Sequence, residues 1–237
     1  NNGANNGANN GEPLGEYQAE EVTFGPDSLP GTFQYPENAA GLPTVLLMHQ
    51  LSQTRAEWTR HQVLPALHAE NVVTLAVDLR GHGNPAAGGK AFAQFGPSDW
   101  AKLAPDAAAA LAWLRTRPEV DPDRISIVGG SIGANAAMLA FAADDRVRSG
   151  AFLSPGLPDY RGVNITTALD SAGDRNVFIV GSRGDGNRAQ DAETLAAQAE
   201  NGEAIVLDGS AHGASQLAAD EATRARVVKL LTTGLRE

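Results

Sequence analysis

The chain has 237 residues, with 18 basic and 28 acidic side chains and a formal net charge of −10. Forty-two per cent apolar residues suffice for a buried core and exclude disorder throughout, while the acidic balance argues against nucleic acid and anionic membrane surfaces as partners. No apolar run approaches the ~18 residues of a membrane span, and the absence of cysteine excludes disulfides, thiolate metal sites and a cysteine nucleophile.

Residues 1–11 read Asn-Asn-Gly-Ala twice and then Asn-Asn-Gly. So little apolar surface cannot offset the entropy of ordering, so the tract is expected to be a flexible linker ahead of one domain over 12–237. Two readings of it are open. It is either a spacer left after an export or lipoprotein signal, tethering a secreted or envelope-associated domain, or the ordinary frayed terminus of a cytoplasmic one.

Two short β candidates follow, Glu20–Phe24 and Gly31–Tyr35, separated by a turn-rich Gly-Pro-Asp-Ser-Leu-Pro-Gly. Strands and helices then alternate. The apolar runs Thr44–His49, Val72–Leu79, Arg124–Gly129, Gly150–Ser154, Asn176–Gly181 and Ala204–Leu207 read as buried strands. Helices are expected over Thr59–Ala69, Ser98–Arg117 (with Ser98 as N-cap), Ile132–Ala142, Ala189–Glu200 and Gln216–Leu231. That alternation implies right-handed βαβ units. The expected architecture is α/β: a mostly parallel, twisted sheet of about eight strands, helices on both faces, and an antiparallel N-terminal edge.

Ligands of parallel sheets sit outside the carboxyl ends of the strands. The positions to search are therefore His49 and Gln50, Asp78 to His82, Ser131, Ser154, Ser182 to Asp185, and Asp208 to His212. Ser131 lies in Gly129-Gly130-Ser131-Ile132-Gly133, a G-x-S-x-G pattern between a predicted strand and a predicted helix. The pattern suits a nucleophile because the serine occupies a sharp, strained turn whose small neighbours let helix and strand approach. A serine nucleophile needs a general base, and the base an acid that orients it. In this arrangement the chain order is Ser, acid, His. His212 is the only histidine after Ser131, and Asp185 lies between them, just past the strand Asn176–Gly181. Asp159, after the Gly150–Ser154 strand, is the alternative acid; Asp208 is too near His212 in sequence, and Asp174 precedes a strand.

These motifs resemble the α/β-hydrolase superfamily, and more narrowly the small single-domain serine esterases related to the dienelactone hydrolase group. The resemblance runs from about Gly31 to the carboxyl end. It rests on Leu46-Leu47-Met48-His49, Asp78-Leu79-Arg80-Gly81-His82-Gly83, Asp121-Pro122-Asp123-Arg124-Ile125, the Ser131 elbow, Gly181-Ser182-Arg183-Gly184-Asp185 and Ala211-His212-Gly213. It implies an oxyanion hole formed by the backbone N–H of Ile132 and that of Leu51, with Gln50 the alternative. Where the family usually has His-Gly, this chain has His49-Gln50, and glutamine resists the positive φ that glycine accepts. Dienelactone hydrolase itself is expected to use cysteine, so a dienelactone substrate is not implied.

His49 and His82 tempt as metal ligands, but nothing in the sequence has metal-site spacing, so they read as residues that hydrogen-bond loops near the site. His61 and His68 fall on a predicted helix face. Gln50, Trp58 and Tyr160 are candidate walls of the pocket. The Gly150–Ser154 strand and the next are separated by only 21 residues, Pro155 to Arg175, with a short helix over about Ile165–Ala172, so no large lid fits. The expectation is a hydrolase of short-chain or polymer-attached carboxylic esters, acting without cofactor through an acyl-enzyme, with His212 as general base. Two other classes stay open: a peptidase or acyltransferase on the same triad, and a non-catalytic envelope protein retaining the fold.

Overall fold

The computed structural model describes residues 15–83, 89–233 and 235; the linker expected over 1–11 lies outside them. The strands are β1 (Tyr17–Phe24), β2 (Leu29–Pro36), β3 (Leu42–Met48), β4 (Val73–Val77), β5 (Val120–Gly130), β6 (Val147–Leu153), β7 (Asp159–Tyr160), β8 (Val163–Asn164), β9 (Asn176–Ser182) and β10 (Asn201–Leu207). The helices are α1 (Glu57–Arg60), α2 (Val63–His68), α3 (Pro97–Trp100), α4 (Leu103–Leu114), α5 (Ile132–Ala143), α6 (Arg188–Ala196), α7 (Ser215–Ala219) and α8 (Glu221–Thr233). Eight strands form one sheet in the order β1-β2-β4-β3-β5-β6-β9-β10. β1–β2 and β2–β4 are antiparallel and every other pairing is parallel, as the strand–helix alternation implied.

Strand periodicity divides the core in two. Leu46 and Met48 of β3, Ile125 and Ile127 of β5, and Val177 and Ile179 of β9 join Leu103, Leu111, Met138 and Phe141 of α4 and α5 in one cluster. The intervening Val45, Leu47, Val128 and Val180 turn to the other face, against Leu67, Val227, Val228 and Leu231 of α2 and α8. Both faces are therefore buried, and the free end of the sheet is the carboxyl edge where the loops converge.

Three expected helices are broken, each for a visible reason. Thr59–Ala69 divides at Gln62, which takes a left-handed φ of 60°. Pro65 three residues later can neither donate to nor make room for the carbonyl of His61. Ser98–Arg117 divides at Ala101 and Lys102, ahead of Pro105 and with no left-handed residue, and the first piece starts at Pro97, so Gly96 rather than Ser98 is the cap. Asp99 Oδ2 accepts the Gly96 N–H there at 2.9 Å. Gln216–Leu231 divides at Asp220, which is extended and whose carboxylate caps the Thr223 N–H at 2.8 Å. The short helix expected over Ile165–Ala172 is a 3₁₀ turn, Ala168–Ser171.

The junction of β5 and α5 is the tightest point. A Cβ on Gly129 would be driven into the backbone of Gly133 and Ala134, and one on Gly133 into the carbonyls of Met48 and His49. Because all of these neighbours are backbone, Gly129→Ala should cost about 1–3 kcal/mol of stability, the usual penalty of overpacking. Urea unfolding measures it, and an unchanged midpoint would contradict the close approach.

Candidate functional site

Ser131 follows β5 with φ 54° and ψ −120°, a conformation L residues adopt only when their surroundings impose it. Its N–H is tied to Leu153 O on β6 at 2.8 Å, and its carbonyl accepts Ala134 N–H at 2.9 Å in the first turn of α5. The side chain is thus lifted to the carboxyl edge, 5% exposed.

His212 and Asp185 arrive from the other side of β5. Asp185 follows β9, with its N–H on Ser182 O at 3.1 Å. His212 follows β10, and its Nδ1 lies 2.7 Å from Asp185 Oδ2. The His212 loop is pinned at several points. Its own N–H is accepted by Ser215 Oγ at 3.0 Å, Ser182 Oγ donates to Ala211 O at 2.7 Å, and Gln216 Nε2 donates to Ser182 Oγ at 2.9 Å. Gly213 and Ala214 pack on Gly130, where an added Cβ would sit 3.3 Å from Ala214 N, so the loops bearing Ser131 and His212 touch one residue from each. Tyr160, at the end of β7, stands beside them, its ring edge-on to His212 at 6.5 Å.

Ser154 completes the histidine–carboxylate pair. It is fully buried with φ 51°, donates Oγ–H to Asp185 Oδ2 at 2.9 Å and accepts Gly213 N–H at 3.1 Å. One hydroxyl therefore holds the aspartate and the histidine loop together. Ser154 and Ser182 stand at strand ends in the sequence, but no motif there assigns them a part. The alternative acid, Asp159, is elsewhere: it is exposed, and its Oδ1 accepts Gly162 N–H at 2.7 Å in its own hairpin.

The loop after β3 is set by two buried side chains. His49, fully buried, accepts Leu79 N–H on Nε2 at 2.9 Å, so its Nδ1 carries the proton and donates to Gln50 O at 2.8 Å. That neutral tautomer agrees with the effect of burial, which lowers the His49 pKa to about 3, and the 3.9 Å approach of Asp78 is not an ion pair. Gln53 N–H reaches the same Gln50 carbonyl at 3.2 Å. Glu57, fully buried on α1, accepts the Gln50 N–H at 2.9 Å. Both backbone groups of Gln50 are thereby occupied. In a planar trans peptide the Leu51 N–H points opposite to the Gln50 carbonyl. Among the described residues neither Leu51 N–H nor Ile132 N–H has an acceptor. The left-handed residue of this loop is Ser52, φ 64°, so Gln50 is spared the conformation glutamine resists.

Gln50 packs its side chain against Gly213 and Gly130. Trp58 is not at the mouth. It is fully buried in the core against α2 and α8, because the four-residue α1 turns it inward beside Glu57. Of the other histidines, His82 stacks on Phe92 at 4.2 Å, and His68 stacks on Tyr17 at 3.8 Å. Among the described residues no three His, Asp or Glu side chains converge as a metal site, and no helix is long and apolar enough to cross a membrane.

Residues 41–184, more than half of the chain, match the model of the alpha/beta hydrolase family, and the chain belongs to that family. An uncharacterised protein of Mycobacterium tuberculosis is 34% identical over 110 residues, 46% of this chain and 35% of that protein; this chain thus matches about a third of the length of such curated relatives. The esterase Pf2001 of Pyrococcus furiosus superposes with a TM-score of 0.70 at 22% identity, over 92% of this chain and 90% of that one. A dienelactone hydrolase of Anabaena variabilis superposes at 0.65 with 18% identity, over 92% and 95%. At such identities the likeness is one of fold.

The buried Glu57 makes stability depend on pH. Burial raises its carboxyl from 4.5 to about 7. Between those values the folded chain keeps a proton that the unfolded chain has lost, so the contribution is intact below the lower value and gone once the pH has risen through the upper. Glu57→Gln keeps an acceptor for Gln50 but does not titrate. The unfolding free energy lost between about pH 5 and about pH 8 should shrink by up to about 3 kcal/mol in the variant. Urea titrations at both pH values measure this, and equal losses in the two proteins would contradict it.

Proposed function

We propose that the protein hydrolyses carboxylic esters, with Ser131 as nucleophile, His212 as general base and Asp185 as the carboxylate that fixes the His212 tautomer. The observation that carries this reading is the 2.7 Å contact between His212 Nδ1 and Asp185 Oδ2 beside a serine on a left-handed elbow. With Nδ1–H engaged by the carboxylate, Nε2 is the nitrogen left to take a proton. Ser131 Oγ attacks the ester carbonyl as its proton passes to His212. The oxyanion takes hydrogen bonds from the N–H groups of Leu51 and Ile132, each typically worth about 3 kcal/mol of barrier. Collapse releases the alcohol, and water activated by His212 hydrolyses the acyl-enzyme.

Short-chain or polymer-attached esters fit the site best. The connection from β6 to β9 folds into the β7–β8 hairpin and one 3₁₀ turn, not into a helical cap. The esterase and dienelactone hydrolase folds it shares support ester chemistry. Nothing in this reading calls for a cofactor.

Hydrolysis of p-nitrophenyl esters from acetate to palmitate tests the reading. Turnover should be highest for the short acyl chains, and Ser131→Ala should lose at least about a thousandfold. An alanine variant as active as the parent would refute the assignment. Ser154→Ala removes one charge-assisted hydrogen bond from Asp185 and should lower kcat about tenfold with little change in KM; a wild-type kcat would mean the pair needs no such support.

A further inference from the structure

Tyr160 is held over Ser131 by more contacts than a passive wall requires. Asn135, fully buried one turn after Ser131 on α5, donates Nδ2 to the carbonyls of Gly156 (3.0 Å) and Val163 (2.9 Å), and its Oδ1 accepts Gly156 N–H at 2.9 Å. Gly156 precedes the hairpin that carries Tyr160, and Val163 is the residue paired with Tyr160 within it. Arg188, in the first turn of α6, donates to Pro155 O at 3.0 Å, pairs with Asp191 at 3.0 Å and lies 5.0 Å from the Tyr160 ring centroid. Gly156 lies beneath both: an added Cβ would stand 2.7 Å from Tyr160 Cδ2 and from Arg188 Nη1.

The Tyr160 ring stands between the Arg188 guanidinium, 5.0 Å from its centroid, and the His212 ring, 6.5 Å away. A guanidinium has only N–H groups to give, so it can meet the phenol oxygen only as a donor, and the O–H stays available to donate into the site. Burial raises the phenol pKa above the ordinary tyrosine value, which keeps that proton in place.

Sheet order then decides which reacting oxygen it meets. β3, which brings Leu51, lies on one side of β5; β6, which brings Tyr160, lies on the other, with β9 and β10 beyond it. The oxyanion forms on the Leu51 side, and the leaving oxygen on the His212 side, since His212 must protonate it.

We infer that Tyr160 is a further catalytic residue, polarised by Arg188, whose O–H donates a hydrogen bond to the leaving alkoxy oxygen as the ester C–O bond breaks. This rests on the serine-hydrolase reading of the same site. In the step, the pair of electrons of the C–O bond goes to the departing oxygen, and the proton that His212 took from Ser131 follows it. Tyr160 keeps its own proton and supplies only a hydrogen bond that strengthens as charge builds.

The role is tested with one acyl group and two leaving groups: kcat/KM for ethyl butyrate and for p-nitrophenyl butyrate, in wild type, Tyr160→Phe, Arg188→Met and Ser131→Ala. An alkoxide needs stabilisation that p-nitrophenolate does not, so Tyr160→Phe should lose about tenfold more on the ethyl ester than on the aryl ester. Arg188→Met should show the same bias to a smaller degree, with thermal melts establishing that each variant is folded. Equal losses on the two esters, or none, would overturn the inference and leave Tyr160 a wall. Ser131→Ala separates the two levels: if it retains activity on either ester, the underlying reading fails whatever Tyr160 does.

Discussion

The site depends on one backbone constraint, the left-handed turn at Ser131 between a strand and a helix that meet without room for a side chain. A residue at φ 54°, ψ −120° stores strain. It persists because hydrogen bonds to Leu153 and Ala134 and the bare backbones of Gly129 and Gly133 over-determine it. The surroundings of the serine follow from that approach. Gly133 seats α5 against the Met48 and His49 carbonyls at the end of β3. Gly130 seats the Gly213–Ala214 backbone, which brings in the histidine loop.

The polar groups around this turn are arranged to hold orientation, with little free charge. His49 is buried neutral, with one ring nitrogen on each of two loops. Glu57 is buried at the back of the Leu51 loop, where burial opposes its ionisation. Ser154 and Asn135 spend their side-chain hydrogen bonds on backbone or carboxylate groups of neighbouring loops. Burying polar groups in this way costs stability and leaves fixed donors and acceptors around Ser131.

How much of this was legible in the sequence depends on the range of the interaction. The elbow is local: five consecutive residues and the strand and helix flanking them define it. Asp185 and His212 were legible because each follows an apolar run, and the end of a parallel strand is a place in space as well as in sequence. Ser154 was not, although it sits at such an end, because its partners Asp185 and Gly213 are 31 and 59 residues away. Glu57 offered no signal, since a glutamate in a helix reads as solvated. Trp58 was misplaced for a related reason: α1 has four residues, too few to fix by periodicity which face is inward. The helix breaks before Pro65 and Pro105 were within reach of local rules, and an unbroken apolar periodicity concealed them.

A Ser131 nucleophile activated by the His212–Asp185 pair would react with serine-directed phosphonates. The most direct measurement is labelling of the intact chain with a fluorophosphonate, followed by mass spectrometry of the tryptic peptide Ile125–Arg146, in which Ser131 is the only serine besides Ser126. A stoichiometric adduct on Ser131 that is lost in His212→Ala is expected. An unlabelled Ser131, or labelling that persists without His212, would contradict it.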